Sequence, residues 1–228
     1  MTMGSGAMIV KKLRQKIPPR SIAICCAAAF FFLAAAGILL TFYRASLMEE
    51  KKERVKEMVE GVIALVDFYH DKVKNEGMSE EEAKQYAFQA IRDLPYDING
   101  YTWINDMQGV MIMHPTLPEL NGKSVLNHAD TNGKLLFVEF IKTVKSQGAG
   151  FVDYFWPKPN DPKGKEYPKI SYVKGFPAWG WIVGSGIYVD DVNDAFWRAV
   201  LLSGSLISAL LVFAATMFLT LSESFKRS

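Results

Sequence analysis

The sequence predicts an α+β domain, an antiparallel sheet with helices packed on it, held between two membrane-spanning helices. Three observations point there. Two long uncharged apolar runs, 21–43 and 199–221, bracket a polar middle; that middle opens on three- and four-residue apolar spacings and closes on short alternating runs separated by turn residues. The first run has no charge between Arg20 and Arg44, and the second has none between Arg198 and Glu223. At about 1.5 Å rise per residue, either helix crosses a hydrocarbon core of roughly 30 Å. The first run also exceeds the apolar stretch of a signal peptide, and no small-residue cleavage site follows it.

Orientation follows from the basic flanks. Lys11, Lys12, Arg14, Lys16 and Arg20 precede the first run, and Lys226 and Arg227 follow the second, so both ends are expected in the cytoplasm and the middle outside, in the periplasm of a two-membrane bacterium or otherwise at the cell exterior. The expected organisation is a cytoplasmic basic leader at 1–20, a span at 21–43, one exported domain at 44–198, a span at 199–221, and a cytoplasmic stub at 222–228 with no output module. The opening MTMGSGAM has the composition of an initiator plus an appended tag and is set aside.

Within the exported segment, residues 48–74 place Val55, Met58, Val59, Val62, Ile63, Val66 and Tyr69 on one side of a helix, with charges on the other. This helix starts where the first span ends. Gly77 marks a turn, and Ser79 with Glu82 forms a capping box that opens a second helix, expected to run to about Leu94 and stop at Pro95. After Asn99-Gly100 the pattern becomes a hairpin: YTWIND, a turn at Met107-Gln108-Gly109, then VMIMHP. A polar loop leads to a helix over 133–146, closed by Gly148 and Gly150. Three strands follow, FVDYFWPK, YPKISYVKG and WGWIVGSGIYV, with a strong turn at Asn160-Asp161-Pro162-Lys163-Gly164.

Composition excludes several classes. The net charge is +2 with acids and bases interspersed, which argues against nucleic-acid binding. Cys25 and Cys26 both lie in the first apolar run, so the exported domain has neither a disulfide nor a cysteine metal site. His70, His114 and His128 show no i, i+4 spacing and no HExxH, so no metal and no cofactor is expected. There is no GxSxG and no nucleophile beside a plausible base, so the chain is not read as an enzyme.

The segments GYTWINDMQGVMIMHPTLPELNGKSV, GAGFVDYFWPKPN and YPKISYVKGFPAWGWIVGSGIYVDD together strongly resemble the single Cache domain of bacterial chemoreceptors and sensor kinases, over about residues 50–191. The resemblance implies a PAS-like five-stranded antiparallel sheet with a long N-terminal helix on one face. It implies a pocket on the other face for a short carboxylate such as acetate, propionate, pyruvate or lactate, and a homodimer through the long helix.

A carboxylate held away from water needs a cation or several donors. Tyr101 and Trp103 share one strand face by period two, as do Tyr154 and Trp156, and together they would form an aromatic wall with hydroxyl and indole donors. Lys169 is the first cation candidate. Strict alternation sets it opposite Tyr172 unless a bulge intervenes, and Lys174, on the face of Tyr172, is its rival. His114, next to Pro115, is a further donor, whereas Asp130 reads as a cap. Gly184 and Gly186 open space in the last strand or mark a bulge. The reading is a transmembrane sensor of a small organic acid. The alternatives are an accessory membrane protein whose exported domain contacts another protein, and a membrane-anchored hydrolase with His114 as base.

Overall fold

The computed structural model describes residues 19–92, 94, 100–159, 161 and 164–227. Residues 1–18 of the leader, Pro95, Asn99, Asn160, Pro162 and Lys163, on which several sequence expectations rest, lie outside the described residues. The chain divides into two units, Met1–Ser46 and Leu47–Ser228.

The first unit contains the start of α1, Pro19–Glu76, whose Phe30, Phe31, Phe32, Leu33 and Phe42 are exposed. An apolar helix that buries none of these side chains against protein suits a lipid environment. Among the described residues, Phe30–Glu76 is the one helix long and apolar enough to cross a membrane. The second apolar run falls in α4, Val189–Arg227, where the side chains of 211, 214, 215 and 217–227 lie outside the described residues.

The second unit is built on a five-stranded antiparallel sheet of order β2-β1-β5-β4-β3. Its strands are β1, Thr102–Asp106; β2, Met111–Met113; β3, Ala149–Pro157; β4, Glu166–Phe176; and β5, Trp181–Tyr188. Against one face lie the buried Val55, Val59, Val62 and Val66 of α1 and Ala83, Ala87 and Ile91 of α2, Glu80–Arg92, clustered with Ile104, Met113, Phe176, Trp181 and Val183. The capping box forms as the sequence predicts. The Glu82 amide donates to Ser79 Oγ at 3.2 Å, and the Ser79 amide donates to Glu82 Oε2 at 3.1 Å.

The other face is covered by α3, Leu136–Gln147, through Leu136, Phe137, Phe140, Ile141 and Val144. The helix starts three residues later than the sequence suggests, because Asp130 holds residues 130–134 in a turn. Its Oδ1 accepts from the amides of Asn132 and Lys134, both at 2.9 Å. The hairpin turn depends on Gly109, whose φ of 78° is left-handed and whose Cβ position lies 2.3 Å from Leu126.

Register decides the face of every strand residue. β4 pairs with β3 from Ala149↔Lys174 to Pro157↔Glu166 without interruption, and with β5 from Lys169↔Tyr188 to Phe176↔Trp181. No bulge brings Tyr172 round to the side of Lys169. Tyr172 and Lys174 instead face α1, where the Tyr172 hydroxyl donates to Glu60 Oε1 at 3.3 Å and Lys174 pairs with Glu60 Oε2. This corrects the placement of Tyr172 among the site residues and removes Lys174 as a rival. The glycines of β5 mark no bulge either, since its pairing is continuous on both sides.

Candidate functional site

The remaining six candidates converge on the α3 side of the sheet. Tyr101, Trp103, His114, Tyr154, Trp156 and Lys169 are each at most 5% exposed. Cross-strand pairing explains the meeting. Lys169 sits in β4 between Tyr154 of β3 and Tyr188 of β5, and Trp103 of β1 faces Gly184 of β5. The Lys169 ammonium lies 3.9 Å from the ring centroid of Tyr101, 4.8 Å from that of Tyr188 and 5.8 Å from that of Trp103. His114 continues the cluster, 5.0 Å from the Tyr101 ring and 5.7 Å from the Trp156 ring.

Lys169 Nζ is buried and has no hydrogen-bond partner among the described residues. Ring quadrupoles attract a cation, but by only about 0.5–2 kcal/mol, well below the several kcal/mol lost on desolvating an ammonium. Burial accordingly drives the Lys169 pKa well below the ordinary lysine range. The arrangement is an aromatic cage around a cation that lacks an anion.

The donors around it are set. The Leu117 amide donates to His114 Nδ1 at 3.0 Å, which assigns the neutral ring its proton at Nε2. Tyr154 and Ser171 share a hydroxyl–hydroxyl bond of 2.9 Å. Burial first of all raises the pKa values of Tyr101, Tyr154 and Tyr188 and keeps their phenols protonated. The cluster thus holds one potential cation with hydroxyl, imidazole and indole donors, and no carboxylate accepts a bond from Lys169 among the described residues. Such a set is complementary to a small anion.

A family profile described as Cache domain matches residues 36–202. The chain belongs to the Cache domain family. Over 152 residues it is 38% identical to the methyl-accepting chemotaxis protein McpP of Pseudomonas putida, covering 67% of this chain and 28% of that protein. Over 194 residues it is 29% identical to the sensor histidine kinase MctS of Rhizobium johnstonii, covering 79% of this chain and 41% of that protein. The chain thus spans well under half the length of either relative.

Two solved structures share the Cache fold at a TM-score of 0.60. One is a periplasmic sensor domain of a chemotaxis protein, 44% identical, with 62% of this chain and 97% of that one covered. The other is a Cache chemosensory domain described for its carboxylic acid recognition, 41% identical, with 64% and 97% covered. The family is a sensory domain of chemoreceptors and not a catalytic one.

Sequence reasoning missed several parts of this cluster in the Cache domain. Tyr188 is the most important. Its signal was legible in hindsight, because it follows Gly184 and Gly186 on the same face of β5, where Gly184 leaves room for the Trp103 ring and Gly186 for the Ser171 side chain. His128, 5.1 Å from the Trp156 ring, comes from the loop after β2 and follows no strand period. Asp130 is a cap, as expected, but it also accepts from the Phe155 amide at 3.0 Å and so ties that loop to β3.

Burial, then the nearby Lys169 charge, lowers the His114 pKa to about 3. The unfolded chain therefore binds more protons between about pH 6.5 and pH 3, and the stability contributed by a neutral His114 is lost as the pH falls through that window. Replacing His114 with Gln should flatten the acid limb of a stability–pH curve, measured by urea unfolding, by a few kcal/mol relative to wild type. A variant that tracks wild type from pH 6.5 to pH 3 would show that His114 is not held neutral.

Proposed function

We propose that the chain is the ligand-sensing part of a two-pass membrane sensor whose exported domain captures a small carboxylate, of the acetate, propionate, pyruvate or lactate type. One observation carries the reading: a fully buried lysine, ringed by Tyr101, Trp103 and Tyr188, with no hydrogen-bond partner for its ammonium among the described residues. A carboxylate supplies what the site lacks. Its charge offsets the desolvation of Lys169, and its oxygens accept from Lys169 Nζ, from His114 Nε2–H and from a tyrosine hydroxyl. The similarity to a Cache domain known for recognising carboxylic acids supports the same reading.

Both apolar runs span the membrane in this proposal. The basic flanks support an outward-facing 44–198, periplasmic in a two-membrane bacterium, with both ends in the cytoplasm, and two copies pair along α1 in the same proposal. Similarity to a chemotaxis receptor and a sensor kinase supports a role in signal transduction. The acid shifts the receptor between states only by the difference in its affinity for them.

A thermal-shift panel tests the ligand class. At roughly 100 times its Kd, a bound acid adds about 2.7 kcal/mol and raises Tm by roughly 5–10 °C for a domain of this size. At least one of acetate, propionate, pyruvate and lactate should do so, and acetamide, isosteric with acetate but uncharged, should not. A Tm unmoved by all four acids would overturn the reading.

A further inference from the structure

We propose that Lys158, Asp190 and Asp191 form a latch that ties the Lys169 cage to the helix leaving the sheet, with the Tyr188 ring as the link between them. The latch gains its ligand dependence from the carboxylate reading above, but its geometry stands apart from that reading.

Tyr188 ends β5, and α4 begins at the next residue, Val189. The ring is 1% exposed and lies 4.8 Å from the Lys169 ammonium and 5.3 Å from that of Lys158. Its hydroxyl donates to the carbonyl of Pro157, the last residue of β3, at 2.7 Å. One residue further, Lys158 Nζ donates to Asp190 Oδ2 and to Asp191 Oδ1, both at 2.6 Å. One ring and three hydrogen bonds therefore close the end of β3, the end of β5 and the first turn of α4 together.

These ion pairs differ from the exposed Arg54–Glu50 and Lys56–Glu53 pairs along α1. The Lys158 side chain is 16% exposed and makes two charge-assisted bonds at once, so solvent screens it less than an isolated exposed pair. Asp190 Oδ1 is buried with no hydrogen-bond partner among the described residues, and Lys158 is the cation paired with Asp190 among them. Removing Lys158 takes away the cation paired with that carboxylate and leaves only the N-terminus of α4 to favour its charge among the described residues.

Coupling follows from what a ligand does to Lys169. In the cage its ammonium is attracted to the rings of Tyr101 and Tyr188; an arriving carboxylate competes for the same charge and draws it off them. Tyr188 repacks, but its hydroxyl is fixed to Pro157, so the adjustment passes to the end of β3 and, through Lys158, to α4. β3 and β5 are not neighbours in the sheet, and the latch gives them a direct connection at this end.

Hydrogen–deuterium exchange on the full chain in lipid nanodiscs tests this. In the ligand-free protein, Lys158→Met should raise exchange in peptides covering 190–198 about tenfold and leave β1 and β2 unchanged. Unchanged exchange at 190–198 overturns the latch. With acetate, propionate, pyruvate or lactate added, wild type should respond both in β4 and at 190–198, whereas Lys158→Met should respond in β4 alone. A ligand response that survives at 190–198 in the variant overturns the latch. No response in β4 of wild type to any of the four acids sinks the carboxylate reading instead, and the ligand-free comparison still decides the latch. The double variant Asp190→Asn with Asp191→Asn removes the same pairs from the other side, so wild-type exchange at 190–198 in it overturns the latch even if Lys158→Met fails to fold.

Discussion

Replacing Lys169 with methionine should abolish carboxylate binding while raising the Tm of the ligand-free protein. The two effects share one cause. Lys169 is 1% exposed and its ammonium has no hydrogen-bond partner among the described residues, so the ligand-free fold carries the cost of desolvating it. Methionine fills a similar volume, is compatible with the rings of Tyr101, Trp103 and Tyr188, and has no charge to desolvate. A gain of about 1–3 kcal/mol, or several degrees in Tm, is expected. Affinity should fall about 100-fold or more, because the acid would then bury its charge without a cation. Calorimetric titration and thermal unfolding of the same preparation check both, and a variant that loses stability along with binding would show that Lys169 is structural.

The same residue gives a pH signature. Its folded pKa lies well below 10.5, so between the two values the unfolded chain holds more protons and the stability of the ligand-free protein rises with pH. The rise should end near pH 10.5 and be absent from Lys169→Met.

The second large effect is expected at Gly184. A Cβ there would lie 2.3, 2.6 and 2.7 Å from three atoms of the Trp103 indole, and the strand cannot yield, because Gly184 pairs with Trp103 in β1 and with Val173 in β4. Trp103 would have to leave a place fixed by its Nε1–H bond to Asn105 at 3.1 Å and by the Phe140 ring at 5.4 Å. Gly184→Ala should therefore cost about 3 kcal/mol, the upper part of the range for overpacking, and weaken acid binding as the cage loses a wall. Urea unfolding with parallel titration would check it; a stable variant with unchanged affinity would place Trp103 outside the site.

Much of this was legible in the residues. The Val55–Val66 spacing on α1, the Ser79–Glu82 capping box and the strands TWIND and VDYFW each rest on local rules, and each forms in the structure; VDYFW alternates in burial, whereas TWIND is buried on both faces. Period two also sufficed to pair Tyr101 with Trp103 and Tyr154 with Trp156, and the structure brings both pairs to one face. What stayed hidden depends on register between distant strands. The proximity of Tyr188 to Lys169 follows from the β4–β5 pairing, and that of Lys158 to Asp190 from how three element ends meet. The error at Tyr172 has the same root, since a bulge was needed to bring it to the site and none occurs.

The most direct measurement is a crystal structure of residues 44–198 grown with acetate or propionate. The expected result is a carboxylate oxygen within about 3.2 Å of Lys169 Nζ, inside the ring of Tyr101, Trp103 and Tyr188. An acid bound away from Lys169, or a Lys169 ammonium already paired with a carboxylate of the protein itself, would contradict it.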